Sequence, residues 1–124
     1  QIKPLDANLH QNLGVSYLLD KRFPQAAQAF EAASRTGSRD HQVYNTLGIA
    51  YAGMQDMDRA LRAFRRGGTI AQAYNNLGCV YMSQGNYALA TESFEKAIAL
   101  SPQFYGKANE NLRNAQFMAS NNTN

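Results

Sequence analysis

Cysteine, net charge and long hydrophobic runs are all scarce in this sequence, and each scarcity narrows the kind of protein it encodes. The single cysteine, Cys79, rules out an internal disulfide framework, so the fold depends on no oxidising compartment. The 12 Lys+Arg against 9 Asp+Glu leave a formal charge of +3, which is too weak to indicate a nucleic-acid or membrane-surface partner. No stretch approaches the roughly 20 apolar residues of a membrane span.

The rest of the composition is that of a folded domain. With 44% hydrophobic and 17% charged residues, the 124 residues are expected to form a single domain, 1–124, around one core. The chain begins at Gln1 without a signal segment, which is typical of an excised domain or a processed form. We expect a soluble chain, either cytoplasmic or associated with a periplasm or envelope.

Three segments share the same spacing of a Leu-Gly pair, a tyrosine, an alanine and a phenylalanine. They are Leu13-Gly14, Tyr17, Ala26 and Phe30; Leu47-Gly48, Tyr51, Ala60 and Phe64; and Leu77-Gly78, Tyr81, Ala90 and Phe94. Their apolar positions recur at steps of three and four residues, which predicts amphipathic helices. Turn residues separate the two apolar runs of each segment, so each is predicted to be a helix, a tight turn and a second helix.

The glycines of these segments predict how the paired helices meet. A glycine inside a helix costs about 1 kcal/mol relative to alanine, so glycines at one repeated position require a packing reason. Small residues on both helices allow the two backbones to approach closely. We expect the repeated tyrosines and phenylalanines to fill the space between hairpins as core, not to form a cofactor site.

These residues resemble the tetratricopeptide repeat, whose pattern is Leu-Gly, Tyr, Ala, Phe, Ala and Pro in a unit of about 34 residues. The third segment continues the match at Ala97 and Pro102, and the resemblance covers roughly residues 7–104. It implies an all-α fold, a right-handed α-solenoid of antiparallel helix hairpins. We expect repeats at about 7–40, 41–70 and 71–104, a capping helix at about 105–119 and a polar tail at 120–124.

The second repeat departs from this period. From Gly48 to Gly78 there are 30 residues, against 34 from Gly14 to Gly48. The shortfall follows Arg66, where Gly67 and Gly68 stand near the expected end of a helix. Either the second hairpin ends early, or a loop is absent from this sequence.

The resemblance implies that the first helices line a concave groove. The positions it assigns to that groove are Asn8, Gln11, Asn12, Val15, Gln42, Asn45, Ile49, Gln72, Asn75, Asn76, Cys79 and Met82. Carboxamides offer donors and acceptors to a peptide backbone, and the remaining side chains are aliphatic or contain sulfur. We therefore predict a non-enzymatic adaptor or assembly scaffold that binds a partner protein's segment. The alternative is self-association through the end helices or the groove to form a homo-oligomeric scaffold.

Surface amides are often solvated without function, and this remains the alternative for the groove amides. Tetratricopeptide domains that clamp acidic chaperone C-termini use Lys and Arg in the groove, whereas this sequence has Gln, Val, Thr and Asn there, so an uncharged segment is expected. The set Arg59, Arg62 and Arg66 shares one face of a second helix and is expected on the convex back. It is either a solvated stripe or a second docking site for an acidic partner or nucleic-acid phosphate, although no aromatic residues interleave with it.

Catalytic and metal-binding patterns are missing from the sequence. His10 and His41 stand a full repeat apart, and Gly67-Gly68 lacks the residues of a phosphate loop. We expect no metal, no cofactor and no enzymatic activity. The Tyr-Asn-Asn-Leu-Gly run and the short polar connectors are similar to those of bacterial repeat proteins that help to assemble pili, secretion systems or envelope complexes.

Overall fold

Seven α-helices and no strand account for the regular structure of residues 4–36 and 40–121, which this computed structural model describes. The helices are α1 (Pro4–Leu19), α2 (Phe23–Ser34), α3 (His41–Gly53), α4 (Met57–Gly67), α5 (Ile70–Ser83), α6 (Tyr87–Leu100) and α7 (Gly106–Asn121). The all-α prediction is confirmed. The predicted end of the first repeat and part of the predicted polar tail fall on residues 37–39 and 122–124, outside the described residues.

Each hairpin turn contains one residue with a positive φ angle. These residues are Lys21 (58°), Gln55 (63°) and Gly85 (75°). The residue that follows each of them donates its backbone N–H to the carbonyl of the repeat tyrosine at 2.9 to 3.0 Å, which closes the end of the first helix. Only glycine adopts a positive φ without a steric penalty, so Lys21 and Gln55 carry local strain.

A capping box starts α5 directly after the irregular segment. The Thr69 hydroxyl accepts a hydrogen bond from the Gln72 backbone N–H at 3.1 Å, and the Gln72 side-chain carbonyl accepts one from the Thr69 N–H at 2.9 Å. Two N–H groups that the helix leaves unpaired are thereby satisfied. Only Gly68 and Thr69 separate α4 from α5, so the cap fixes where the new helix begins.

The helices form two compact units, Gln1–Gly67 and Gly68–Asn124. In the first unit α1 pairs with α2, α3 pairs with α4, and α2 packs on α3. In the second unit α5 pairs with α6, and α7 packs on α6. Each unit therefore has its own core of helix hairpins.

A glycine under a phenylalanine ring holds each hairpin together. A Cβ added to Gly14 would stand 2.6 Å from Phe30, and one added to Gly48 would stand 2.5 Å from Phe64. Gly78 faces Phe94 in the same way, and all three rings are buried. The predicted close approach is thus observed, but each ring lies within its own hairpin and not only between hairpins.

The first helix leaves part of its apolar side uncovered. Leu9 and Leu13 are 63% and 44% exposed, whereas Val43 and Leu47, at the same positions of α3, are buried. The difference arises because α2 packs on α3, while no other helix described in the first unit covers the corresponding side of α1.

Candidate partner-binding faces

In the first unit, the predicted groove positions of α1 and α3 are mostly open to solvent. Asn8, Asn12 and Gln42 are exposed, and Val15 and Ile49 are 40% and 38% exposed. Apolar side chains therefore remain at the surface beside carboxamides. Such a mixture suits a partner segment that has both an apolar anchor and backbone polar groups.

Gln11 links the two first helices of this unit. Its side-chain N–H donates to a carboxylate oxygen of Asp40 at 3.2 Å, and the other oxygen accepts the backbone N–H of Gln42 at 2.9 Å. Asp40 is the N-cap of α3, so one carboxylate both starts α3 and fixes it beside α1. The amide of Gln11 thus already has a role within the fold.

Asn45 turns toward α4 and away from the groove side. Its Oδ1 is buried without a hydrogen-bond partner, and a Cβ added to Gly67 would collide with that oxygen. The other two repeats have Ala33 and Ala97 at the position of Gly67. The glycine in the second repeat is therefore explained by the space that the Asn45 side chain requires.

In the second unit, Asn75 is a structural residue. It is only 5% exposed, and its carbonyl oxygen accepts a hydrogen bond from the Asn111 side chain of α7 at 3.1 Å. The same Asn111 nitrogen lies 3.7 Å from the Cys79 sulfur. Asn75 therefore stabilises the contact between α5 and α7, and Cys79 is left exposed beside that contact.

The remaining predicted residues of α5 divide between surface and core. Gln72 is exposed, although its side chain belongs to the capping box, and Asn76 is half-buried. Met82 packs against the buried cluster of Ala90, Phe94 and Ala115. The structure thus brings fewer side chains to the surface than the repeat register predicts.

Helix α7 adds surface residues that the sequence reasoning missed. Phe117 is 65% exposed and stands at the repeat position of Met82, while Lys107 stands at that of Gln72. The signal was present, because Asn109-Glu110-Asn111-Leu112 echoes Tyr74-Asn75-Asn76-Leu77. Continuing that register along α7 would have identified Phe117.

The electrostatics around Cys79 do not favour a reactive thiol. Although Cys79 keeps some solvent exposure, desolvation by the helices packed around its sulfur raises the pKa of the thiol, and the nearby Lys107 ammonium only partly opposes this shift. A raised pKa keeps the thiol protonated at neutral pH, so it is a poor nucleophile. Among residues 4–36 and 40–121 no group of His, Cys, Asp or Glu is arranged to hold a metal ion.

The arginines of α4 do not form a simple solvated stripe. Arg59, Arg62 and Arg66 line a surface pocket in the first unit together with Tyr44, Leu47 and Tyr51 of α3, and Ala63 lies at its base. The Arg59 guanidinium lies 5.0 Å from the centre of the Tyr51 ring, and that of Arg66 lies 4.6 Å from the centre of the Tyr44 ring. The aromatic partners come from the neighbouring helix, which is why no interleaving was visible along α4.

Comparison with known families agrees with this architecture. Models of the tetratricopeptide repeat match residues 13–67 and residues 71–104. Repeated helix hairpins, with no strand in residues 4–36 and 40–121, define the fold class as an all-α solenoid. The chain belongs to the tetratricopeptide repeat family, whose domains are in general protein-interaction modules.

Solved tetratricopeptide domains share the fold at low sequence identity. The first such domain of Spaghetti (RPAP3), bound to the HSP90 peptide SRMEEVD, is 14% identical, with a TM-score of 0.62 over 96% of this chain and 97% of that one. The Sgt2 domain from Aspergillus fumigatus is 15% identical, with a TM-score of 0.62 over 95% and 81% of the two chains. The Arabidopsis OM64 domain is 16% identical, with a TM-score of 0.60 over 90% and 94%.

No curated protein is significantly similar to the chain in sequence. None of the helices in the described part of the chain is both long and apolar enough to span a membrane.

Proposed function

We propose that this protein is a non-enzymatic scaffold that binds an uncharged segment of a partner protein on the faces of its first helices. The observation that carries the proposal is the pairing of exposed Val15 and Ile49 with exposed carboxamides on α1 and α3. Burial of an aliphatic side chain of the partner on such a surface is favourable because it removes apolar area from water. The carboxamides can form hydrogen bonds with nearby backbone groups of the partner.

The charge of the first helices supports an uncharged partner. Helices α1, α3 and α5 contain no lysine or arginine. The peptide SRMEEVD in the Spaghetti complex carries three carboxylate side chains and is therefore acidic. A carboxylate would find no cation to pair with on α1, α3 or α5, so desolvating it there would be unfavourable.

The binding face can be tested by photo-crosslinking from single cysteines. In a Cys79→Ser background, Val15→Cys and Ile49→Cys place a benzophenone on the proposed face, and Leu89→Cys places one on α6. Leu89 is a matched control because its side chain is 39% exposed, close to the 40% of Val15 and the 38% of Ile49. We expect one protein to be captured from both face positions but not from α6, through a peptide that lacks charged residues.

A binding measurement with the purified partner completes this test. We expect Val15→Asp and Ile49→Asp each to weaken binding about tenfold or more, because a charge at the centre of an apolar contact must be desolvated. Leu89→Asp should leave the affinity unchanged. Equal capture from α6, or full affinity of both aspartate variants, would show that the face is not the binding site.

Self-association is the second candidate function, and the uncovered side of α1 favours it. Leu9 and Leu13 present apolar surface at positions that are buried in α3. Sedimentation equilibrium across a range of concentrations distinguishes the two candidates. A dimer that dissociates on Leu13→Glu supports self-association, whereas a monomer at all concentrations excludes it.

A further inference from the structure

The pocket between α3 and α4 is positively charged, whereas the faces of the first helices are uncharged. Arg59, Arg62 and Arg66 are all exposed and lie along one side of α4, since they are three and four residues apart. Favourable interaction with the helix dipole accounts for Arg66, in the last turn of α4, but not for the whole set. Arg59 lies in the first turn of α4, where the dipole disfavours a cation.

Two of these arginines are held in place by the opposite helix. Arg66 lies over the Tyr44 ring and donates an N–H to its hydroxyl at 3.3 Å. Arg59 lies over the Tyr51 ring and pairs with Asp56 at 2.8 Å. Guanidinium groups that are already oriented lose less entropy when they bind an anion.

Arg62 lies between them and has no such restraint. Neither Arg62 nor Arg66 pairs with a carboxylate in the described part of the chain. One turn of helix separates the two, so their guanidinium groups can approach one carboxylate from two sides. The pocket therefore has unused cationic capacity beside the partly neutralised Arg59.

The base of the pocket is apolar and suits an aliphatic side chain. Leu47 and Ala63 are buried there, between the tyrosines of α3 and the arginines of α4. The faces of Tyr44 and Tyr51 are covered by Arg66 and Arg59, so they are not free to stack on nucleobases. A formal charge of +3 also gives little general attraction for a nucleic acid.

We propose that this pocket is a second binding site, for an acidic peptide segment in which a carboxylate is followed by an aliphatic side chain. The carboxylate meets Arg62 and Arg66, and the aliphatic group lies on Leu47 and Ala63. The site is separate from the uncharged faces of the first helices. It binds an acidic segment, whereas those faces bind an uncharged one. It does not depend on the function proposed for those faces.

Fluorescence anisotropy with a labelled peptide of alternating Glu and Leu tests the proposal. The key comparison is Arg62→Glu against Arg65→Glu, because both residues are exposed on α4 and only Arg62 lines the pocket. The two variants have the same net charge, so general electrostatic attraction changes equally in both. We expect Arg62→Glu to weaken binding about tenfold or more and Arg65→Glu to change it less than about threefold.

Two more variants and two more ligands distinguish binding in the pocket from a folding defect, from binding on the first helices and from attraction to any polyanion. Arg62→Gln should also weaken binding of the peptide. This variant controls for a folding defect caused by the charge reversal, and circular dichroism checks that both Arg62 variants stay helical. Val15→Asp should leave the affinity unchanged, because that residue belongs to the other face. A peptide of alternating Gln and Leu and a short oligothymidylate should both bind weakly.

Four results would overturn the proposal. The first three are the absence of binding by the Glu-Leu peptide, equal losses on Arg62→Glu and Arg65→Glu, and oligothymidylate binding that is stronger than peptide binding. A loss of peptide binding on Val15→Asp alone would place the acidic segment on the first helices and would likewise refute the pocket.

Discussion

Replacing Gly48 with alanine tests whether the Phe64 ring requires a glycine beneath it. The added Cβ would stand 2.5 Å from two carbons of that ring. Carbon atoms in ordinary contact are about 3.5–4.0 Å apart, so the overlap is about 1 Å. Because Phe64 is 1% exposed, the ring has no open space to move into, and α3 and α4 must separate.

Two opposing free-energy terms set the size of the effect. Overpacking a core costs about 1–3 kcal/mol, whereas alanine in place of a helical glycine contributes about 1 kcal/mol in the favourable direction. Since two ring carbons collide at once, the cost belongs near the top of its range. We expect Gly48→Ala to lower the free energy of unfolding by about 2 kcal/mol.

Urea unfolding followed by far-ultraviolet circular dichroism measures this change. Gly106→Ala is the control, because its Cβ would meet Phe104 at an ordinary 3.5 Å, and its stability should change little. Adding Phe64→Leu to Gly48→Ala should cost less than the two single changes together, by about 1 kcal/mol, because the shorter side chain removes the collision. Undiminished stability of Gly48→Ala, or strict additivity in the double variant, would refute the packing explanation.

The hairpin turns, the buried Tyr51 and the free thiol give further expected outcomes. Gln55→Gly should raise the free energy of unfolding by about 1 kcal/mol and Gly85→Gln should lower it similarly, because glycine adopts a positive φ without a Cβ penalty; urea titration measures both. Burial, with a hydrogen bond to a carboxylate, raises the pKa of Tyr51. Its contribution to stability is therefore present below about pH 10 and is lost as the pH rises through the folded pKa, and the loss should be smaller in Tyr51→Phe. Partial desolvation raises the pKa of Cys79 while Lys107 lowers it, so iodoacetamide should alkylate the folded protein slowly, and Lys107→Gln should slow it further; an unchanged rate would contradict this.

Helical class, repeat spacing and the glycine contacts were predictable from the sequence because they depend on local periodicity. The positions of Gly14, Gly48 and Gly78 recur at fixed register, and each meets a phenylalanine of its own hairpin. The start of α5 was also encoded, since Thr69 and Gln72 have the spacing of a capping box. The two glycines directly before Thr69 masked that signal, because they are typical of a loop.

The orientation of the amides was less predictable, because it depends on what each neighbouring helix supplies. Gln11, Asn45 and Asn75 share one repeat position, yet one bonds to Asp40, one lies beside Gly67 and one bonds to Asn111. Register alone assigned the same role to all three. Whether the exposed members of the predicted set bind a partner remains a prediction.

The arginine pocket was hidden for a related reason. Arg59 and Arg66 are seven residues apart on α4, and Tyr51 and Tyr44 are seven apart on α3. Each spacing is visible in the sequence, but the pairing depends on how the antiparallel helices align. Combining both spacings with the antiparallel hairpin would have indicated that the arginines meet aromatic rings.

The hydrogen bond between Asn75 and Asn111 also restricts the register in which α7 packs along α5. Small apolar side chains such as Ala108 and Ala115 would tolerate a slide by one helical turn, since alanines fit many surfaces. A slide would leave a buried carboxamide without a partner, at a cost of about 1–3 kcal/mol. One polar pair therefore selects a single alignment from several that bury similar apolar area. The hydrogen bond thus fixes the register of α7 as well as stabilising its contact with α5.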